Sequence, residues 1–533
     1  MVVLTGLEIV QRTLVVTGWS ACILVPIWLI LQPSPRSYFN FIWTFFGVRM
    51  QRKPEGHRWL PHYFTVLFVA FLLSQGVTTI LHYPLLVNNL GASVLQVGLI
   101  DAASFTISAA LDMTLRAGPL RKMPRSGLFV MHAVCSVLAY VVIIGLIIPN
   151  VAKGTALALV ILAQVVAGLD IPFQEFGVMR NDAKDDFYAT VQEEIHSGAD
   201  TDASMLAWKD AGKISAKLGQ LHVVMRYPAT LVASAFFAIL FYLMPGDQRQ
   251  DTFTAYIFIG VAGCILGLEQ AYVWRGHTPN VGTAGKTSNV GADILPGGRY
   301  FTVLVEVGIF NAVSQAVRNG YPRMINLRAL TMSDVHTSDI GRLMVVVFGI
   351  SAAFFFLSDV GNASRASERW RSRRNIGLLS FTLLGVGHGL MGRAKGFKGL
   401  LASAIVFGFG QATSTGLRTV WKDEVRGLLR CDGHGEQYRK QLLRVLGAVG
   451  AMTNITNSLL MGVIGNTLGM SAASFIYAGM SVFGLIWTIR LNSSLRSRIL
   501  SESQRLDADM DDLLAQEDMD DPITIGYWHP SFS

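Results

Sequence analysis

Apolar residues in this chain come in long blocks, unlike the two-residue alternation of a half-buried strand. The blocks fall near 13–32, 62–86, 94–116, 127–148, 155–178, 218–243, 253–274, 299–321, 338–359, 375–392, 399–418, 441–466 and 470–490. Each is about 18–25 residues long, which suits a helix crossing the ~30 Å hydrocarbon core of a bilayer. The pattern predicts an all-α polytopic membrane protein, with one extra N-terminal transmembrane helix followed by twelve, numbered spans 1–12 below. Polar residues that interrupt a block are the informative ones. In "AGLDIPFQEFGVMRND" (Ala167 to Asp182), Asp170 and Glu175 arrive where span 4 should still be in hydrocarbon. An ionisable group there costs several kcal/mol and is a functional-site hypothesis by default.

Composition agrees with this reading. Of 533 residues, 51% are hydrophobic and only 15% charged, against roughly 25% charged in a soluble domain. The net charge of +8 calls for no nucleic-acid partner, because Lys and Arg in cytosolic loops supply it. Cys22, Cys135, Cys264 and Cys431 are scattered with no CxxC or His-paired spacing, and read as small apolar packers. Neither a metal site nor a disulfide framework is expected. The first block is too long for a signal-peptide core and lacks a small-residue cleavage site, so it reads as a retained helix.

Basic residues set the orientation. Arg36, Arg49, Arg52, Lys53 and Arg58 follow the extra helix, against Arg12 before it, so the N-terminus is expected outside or in a lumen and the C-terminus in the cytosol. The loops after spans 2 and 8, and the loop from Arg418 to Arg444, are basic and fall inside on this count. Two loops are discordant: Arg323 and Arg328 between spans 7 and 8, and Arg393, Lys395 and Lys398 between spans 9 and 10. No Asn-x-Ser/Thr falls in a predicted outside loop, so plasma, vacuolar and endosomal membranes are not separated.

The chain also repeats itself. Span 1 ends "HYPLLVNNLG" and span 7 ends "GYPRMINLRAL", sharing Tyr-Pro-x-x-[Val/Ile]-Asn at Tyr83 to Asn88 and Tyr321 to Asn326. "LQVG" (Leu95 to Gly98) and "SDIG" (Ser338 to Gly341) then open spans 2 and 8, which end with Asp112 and Asp359 before basic loops. Four features in one order indicate duplicated halves, as in many transporter folds. The organisation that follows is 1–61, the extra transmembrane helix and a basic loop; 62–274, an N-terminal six-helix half; 275–298, a central cytosolic loop; 299–490, a C-terminal six-helix half; and 491–533, an acidic tail.

Twelve spans in two similar halves, each with a basic loop after its second span, resemble the major facilitator superfamily of secondary transporters. "FFFLSDVGNASRASERWRSRR" (Phe354 to Arg374) is a stretched version of that family's Gly-x-Leu-x-Asp-Arg-x-Gly-Arg-Lys loop, with Asp359 as its aspartate. "AALDMTLRAGPLRK" (Ala109 to Lys122) is a poorer version around Asp112, lacking the leading glycine. The resemblance covers roughly 62–490, is one of architecture, and singles out no subfamily. It implies a solute cavity lined by spans 1, 4, 7 and 10, gates from spans 2, 5, 8 and 11, and lipid-facing spans 3, 6, 9 and 12.

Residue spacing tests that implication. Polar groups at i, i+3, i+4 and i+7 form one face of a helix. Span 1 has Gln75, Thr78, Thr79 and His82; span 7 has Asn311, Ser314, Gln315 and Arg318; span 10 has Gln411, Ser414, Thr415 and Arg418. Span 4 places Asp170, Phe173, Gln174 and Gly177 on such a face, whereas spans 3 and 12 carry few polar side chains and no charge. Glu175 sits about 140° around the helix from Asp170, toward a neighbouring helix. Pro172 predicts a kink in span 4. Asp170, Glu175 and Glu306 are the proton-coupling candidates, with Arg318 and Arg418 as counter-charges or holders of an anionic solute. Ion pairs inside the bundle, for instance with Arg226 of span 5, are the structural alternative.

Asp101, near the middle of span 2, is a gate candidate beside Asp112 and Asp359. His222 and His388 sit in apolar spans and read as hydrogen-bonded packing residues, and Gly465 and Gly469 as close-packing positions. The charged loop from Arg180 to Lys217 has no ligand assigned. In the tail, Asp509 with Leu513 and Leu514 resembles an acidic dileucine signal for a sorting adaptor; a solvated disordered tail is the alternative.

No Gly-rich phosphate loop, metal cluster or nucleophile–base motif occurs, so no cofactor and no enzyme activity are expected. The function expected is movement of a small-molecule solute through a lipid bilayer by alternating access, with proton coupling as an option. One alternative is a non-transporting receptor or assembly scaffold on the same fold. A second is a membrane-embedded transferase using His388 or His222, for which "GVGHGLMG" offers no acid or polar partner locally.

Overall fold

The computed structural model describes residues 82–117, 120, 123–145, 153–179, separate helical positions between 231 and 272, and 298–360, 373–430 and 435–490. The extra N-terminal helix and its loop, the central loop at 275–297, the 180–217 loop and the acidic tail, with Asp509, Leu513 and Leu514, lie outside these residues. No strand occurs among the described residues.

The end of span 1 is α1, an α-helical turn at His82–Pro84 followed by a wider π-type turn at Leu85–Asn89. Spans 2–4 are α2 (Val94–Ala117), α3 (Arg125–Gly145) and α4 (Lys153–Met179). Spans 7–10 are α5 (Gly298–Leu330), α6 (Thr337–Val360), α7 (Arg373–Arg393) and α8 (Phe397–Arg430). Spans 11 and 12 are α9 (Gly435–Thr467) and α10 (Gly469–Arg490). Three described stretches are long and apolar enough to cross a membrane: Val94–Leu115, Gly447–Thr467 and Gly469–Arg490.

The repeated motifs have local jobs. Ser93 and Gln96 form a capping box at the start of α2: Ser93 N–H donates to Gln96 Oε1 at 2.9 Å and Gln96 N–H to Ser93 Oγ at 3.2 Å. At the start of α6, His336 N–H donates to Asp339 Oδ2 at 3.0 Å. Gln96 and Asp339 occupy the same place in the "LQVG" and "SDIG" motifs, so the repeat preserves a helix start. Ahead of α2, Gly91 takes a φ of 66°, a left-handed conformation that costs glycine little, and the Ala92 N–H reaches Leu86 O at 2.9 Å.

The repeat is imperfect at its prolines. Pro84 is followed at once by the π-type turn, whereas α5 continues past Pro322 to Leu330, beyond the 299–321 that its apolar block predicts. Proline removes one backbone donor, and neighbouring side chains compensate a membrane helix for that loss. Pro322 takes the donor from the Arg318 carbonyl; the two carbonyls just before it have side-chain donors, His388 Nε2 on Val317 O at 2.9 Å and Asn457 Nδ2 on Ala316 O at 3.4 Å.

The burial pattern is that of a protein in lipid. On α3, Val130, Val134 and Val137 are exposed at helical spacing, while His132 and Ser136 are buried. On α10, Phe475, Val482, Phe483, Ile486 and Ile489 are exposed, while Ser474, Ser481 and Thr488 are buried. In water this arrangement exposes large apolar stripes at a cost; against acyl chains it is the favourable one. Small residues then let helices approach. Span 6 sets Gly263 and Gly267 against Ser136 and Ala133 of α3.

Helix α2 packs on α4 and, across the bundle, on α9; α5 also packs on α9, and α8 on α6 and α7. The α2–α9 seam is closest at Gly98, where an added Cβ would stand 2.6 Å from Gly462 Cα and 2.6 Å from Ser458 O. Gly465, on the same seam, would place a Cβ 2.8 Å from a Val94 methyl.

Candidate functional site

Polar side chains converge where α5 meets α9 and α8 meets α6. Gln315 Nε2 donates to Asn311 Oδ1 at 3.4 Å, one turn away on α5. Its amide lies over Gly450 of α9, where a Cβ would come within 2.9 Å of Oε1. Arg318 Nε donates to Asn319 Oδ1 at 3.4 Å, and Asn319 Nδ2 to Asn454 Oδ1 of α9 at 3.2 Å. On α8, Gln411 Oε1 accepts from Ser351 Oγ of α6 at 3.3 Å. Asn311, Gln315, Arg318 and Gln411 are all buried. Amides carry both donors and acceptors, so such a lining can exchange its internal bonds for bonds to a polar solute. Glu306 is buried further down α5, where its carbonyl accepts from Trp487 Nε1 of α10 at 3.0 Å.

The carboxylates of the first helices pair with histidines. His82 Nε2 lies 2.8 Å from Asp101 Oδ1, and the Tyr83 hydroxyl donates to Asp101 Oδ2 at 3.0 Å. Asp170 Oδ1 lies 2.5 Å from His132 Nδ1 of α3, and Ser136 Oγ donates to Asp170 Oδ2 at 3.4 Å. The partner comes from span 3, read from its sequence as an uncharged lipid-facing helix. His132 is missed by a search for striped faces because its buried face carries two polar residues one turn apart, His132 and Ser136, short of a full stripe. Gln75 and Thr79 lie outside the described residues, as do the side chains of Gln174, Glu175, Asp359, Thr415 and Arg418. Asp112 is partly buried on α2.

Two basic residues that disturb the orientation count are used inside the protein. Arg323 donates to Ser458 Oγ of α9 at 2.7 Å, and its guanidinium carbon sits 4.3 Å from the Phe105 ring centroid of α2. Arg328 donates to Ala394 O at 3.0 Å, tying the end of α5 to the connection between α7 and α8. Both arginines are half-buried, and a guanidinium held by such protein contacts is a weaker guide to membrane sidedness than an exposed one. Arg393, Lys395 and Lys398 remain exposed.

His388 is fully buried among rings. It meets Tyr321 edge-on at 5.2 Å and lies against Tyr477 at 5.4 Å, while Tyr321 stacks on Phe407 at 3.6 Å. The Tyr321 hydroxyl is 2.5 Å from Ser403 Oγ. No carboxylate joins this cluster among the described contacts, which is a packing arrangement. His222, Cys22 and Cys431 lie outside the described residues; Cys135 and Cys264 are free thiols. No group of three or more metal-ligating side chains occurs among the described residues.

No protein-family model matches the sequence. No curated protein matches it either. Solved structures do match in architecture. The nucleoside transporter NupG aligns with a TM-score of 0.54 at 13% identity, covering 80% of this chain and 98% of that one. A POT family transporter in complex with a thioalcohol-conjugated peptide gives 0.53 at 10% identity, over 81% of this chain and 96% of that one. A bacterial homologue of the human lysosomal transporter Spinster, inward-facing and unoccupied, gives 0.50 at 12% identity, over 84% and 98%. At such identities the likeness is one of fold.

Proposed function

We propose that this chain, an integral membrane protein with the major facilitator fold of those transporters, moves a small polar solute by alternating access. In this reading thirteen transmembrane helices form the extra N-terminal span and two six-helix halves, 62–274 and 299–490, that rock about a central site. The observation that carries it is a set of paired amide side chains inside an otherwise apolar bundle, buried at Asn311, Gln315 and Gln411 and half-buried at Asn319 and Asn454. Interhelical bonds of this kind add about 0.6–2 kcal/mol each to helix association in lipid, and the same donors and acceptors can serve a polar solute. Asp170, Glu175 and Glu306 are the candidates for proton coupling. The C-terminus faces the cytosol and the N-terminus the outside or a lumen, and the Asp509, Leu513, Leu514 motif offers a sorting adaptor its grip.

A thermal-shift screen of the purified protein against a metabolite library, at fixed pH, tests the central site. A specific solute adds about 2.7 kcal/mol at a hundred times its Kd. The shift is expected in the parent and lost in Gln411→Ala, while a blank screen with an unaltered variant removes the support for a solute site.

The same bonds favour a second reading, a non-transporting receptor or scaffold, because Gln315 with Asn311 and Gln411 with Ser351 already satisfy one another. The transferase alternative has no such support, since His388 faces rings and a backbone carbonyl.

A further inference from the structure

Two histidine–carboxylate pairs lie in the first group of helices, and they are built alike. Each uses one ring nitrogen on the acid, and each leaves the other nitrogen, His82 Nδ1 or His132 Nε2, buried without a hydrogen-bond partner. Counter-charge separates them. Arg323 acts electrostatically on Asp101, so with a neutral ring the His82–Asp101–Arg323 group carries no net charge. Among the described residues no arginine or lysine does the same for Asp170.

Helix α4 packs on α2 and α3. From α3, His132, Cys135 and Ser136 face Asp170. Of the ionisable residues of α2, Asp101 is turned to His82 and Asp112 is partly buried toward the helix end, while the Arg116 side chain lies outside the described residues. Span 6, which packs on α3, contributes Cys264 and Gln270 among its described residues. The Glu175 side chain and Arg226 lie outside the described residues. Among the described residues no cation faces the pair, whose own charge with a neutral His132 is one negative. A single proton brings the pair to zero, the cheaper total in a low-dielectric interior. Asp170 also keeps 22% of its side chain exposed, against 3% for His132, so the acid is the open side of the pair.

We infer that the His132–Asp170 pair is a proton-binding site, filled from water on one side of the membrane and emptied to water on the other. As the coupling site it rests on the transport reading above. The orphaned nitrogen supplies the link to motion. A neutral ring that donates through Nδ1 leaves Nε2 a bare acceptor. A ring that takes the second proton gains an N–H with nothing to receive it. Holding the proton therefore calls for a water or a shifted neighbour at Nε2, and the α3–α4 contact must rearrange.

Infrared difference spectra of the purified protein, taken between about pH 5 and pH 8 where histidine changes charge, read the site without a solute. With the aspartate carboxyls carbon-13 labelled and the histidine rings nitrogen-15 labelled, both labels should shift bands in one titration step. That step is expected to vanish in His132→Gln and in Asp170→Asn and to survive in His82→Gln. A spectrum unchanged in both variants overturns the inference. If the variants fail to fold, the labelled parent decides alone: no coupled aspartate and histidine step means no proton site. A solute that stabilises the parent but not Gln411→Ala leaves transport standing even then.

Discussion

Gly98→Leu is expected to hold the α2–α9 seam open while leaving the chain folded and, on the transport reading proposed above, to stop the cycle. The reason is geometric: even a methyl at Gly98 meets backbone at 2.6 Å, and backbone cannot swing aside as a side-chain tip does. The facing glycine reciprocates, since a Cβ on Gly462 stands 3.0 Å from Gly98 Cα. Overpacking of this kind costs about 1–3 kcal/mol, which moves an open–closed equilibrium by about 5–150-fold. Arg323 adds to the closed arrangement by joining Phe105 of α2 to Ser458 of α9. Gly98→Ala should give a smaller shift in the same direction, and Arg323→Gln a shift without any steric cause. Spin labels on α2 and α9 in nanodiscs measure it. A distance distribution in Gly98→Leu identical to the parent's would show that the seam has slack and carries no gating role.

Tyr321→Ala should produce the largest loss of stability. Tyr321 is fully buried, stacks on Phe407 at 3.6 Å, meets His388 at 5.2 Å and bonds Ser403. One side chain thus joins α5 to α7 and α8, and His388 passes the contact on to Tyr477 of α10. Lipid is as apolar as the core, so transfer from water contributes little here and the loss comes from packing and hydrogen bonding. About 3 kcal/mol is expected, the low end for an aromatic-to-alanine change. Tyr321→Phe keeps the stack and gives up only the hydroxyl, for about 1 kcal/mol. Thermal unfolding in detergent ranks the two, and equal effects would mean that the hydroxyl, not the stack, holds the cluster.

The helices were legible because bilayer thickness imposes one length on every apolar block. α2 spans Val94–Ala117 where the block runs 94–116, and α10 spans Gly469–Arg490 where it runs 470–490. Where helices leave the membrane that rule lapses, and α8 continues to Arg430 past a block ending at 418. Stripes on spans 7 and 10 pointed to Asn311, Gln315, Arg318 and Gln411, which the structure buries. Partners were not legible. Periodicity places a residue on a face but does not say which helix covers that face. Nothing near His132 or Arg323 in the chain announces Asp170 or Phe105, respectively 38 positions and a whole group of helices away.

The length of α8 has a mechanical consequence. Its 34 residues measure about 51 Å at 1.5 Å each, well beyond a ~30 Å hydrocarbon core. Helix α9, 33 residues long and starting at Gly435, exceeds that core as well. A rod fixed in a tilting body magnifies the tilt at its free end. On the transport reading proposed above, the end of α8 at Arg430 is therefore the tip of a lever, and a fluorophore there sweeps a longer arc than any label at the membrane surface.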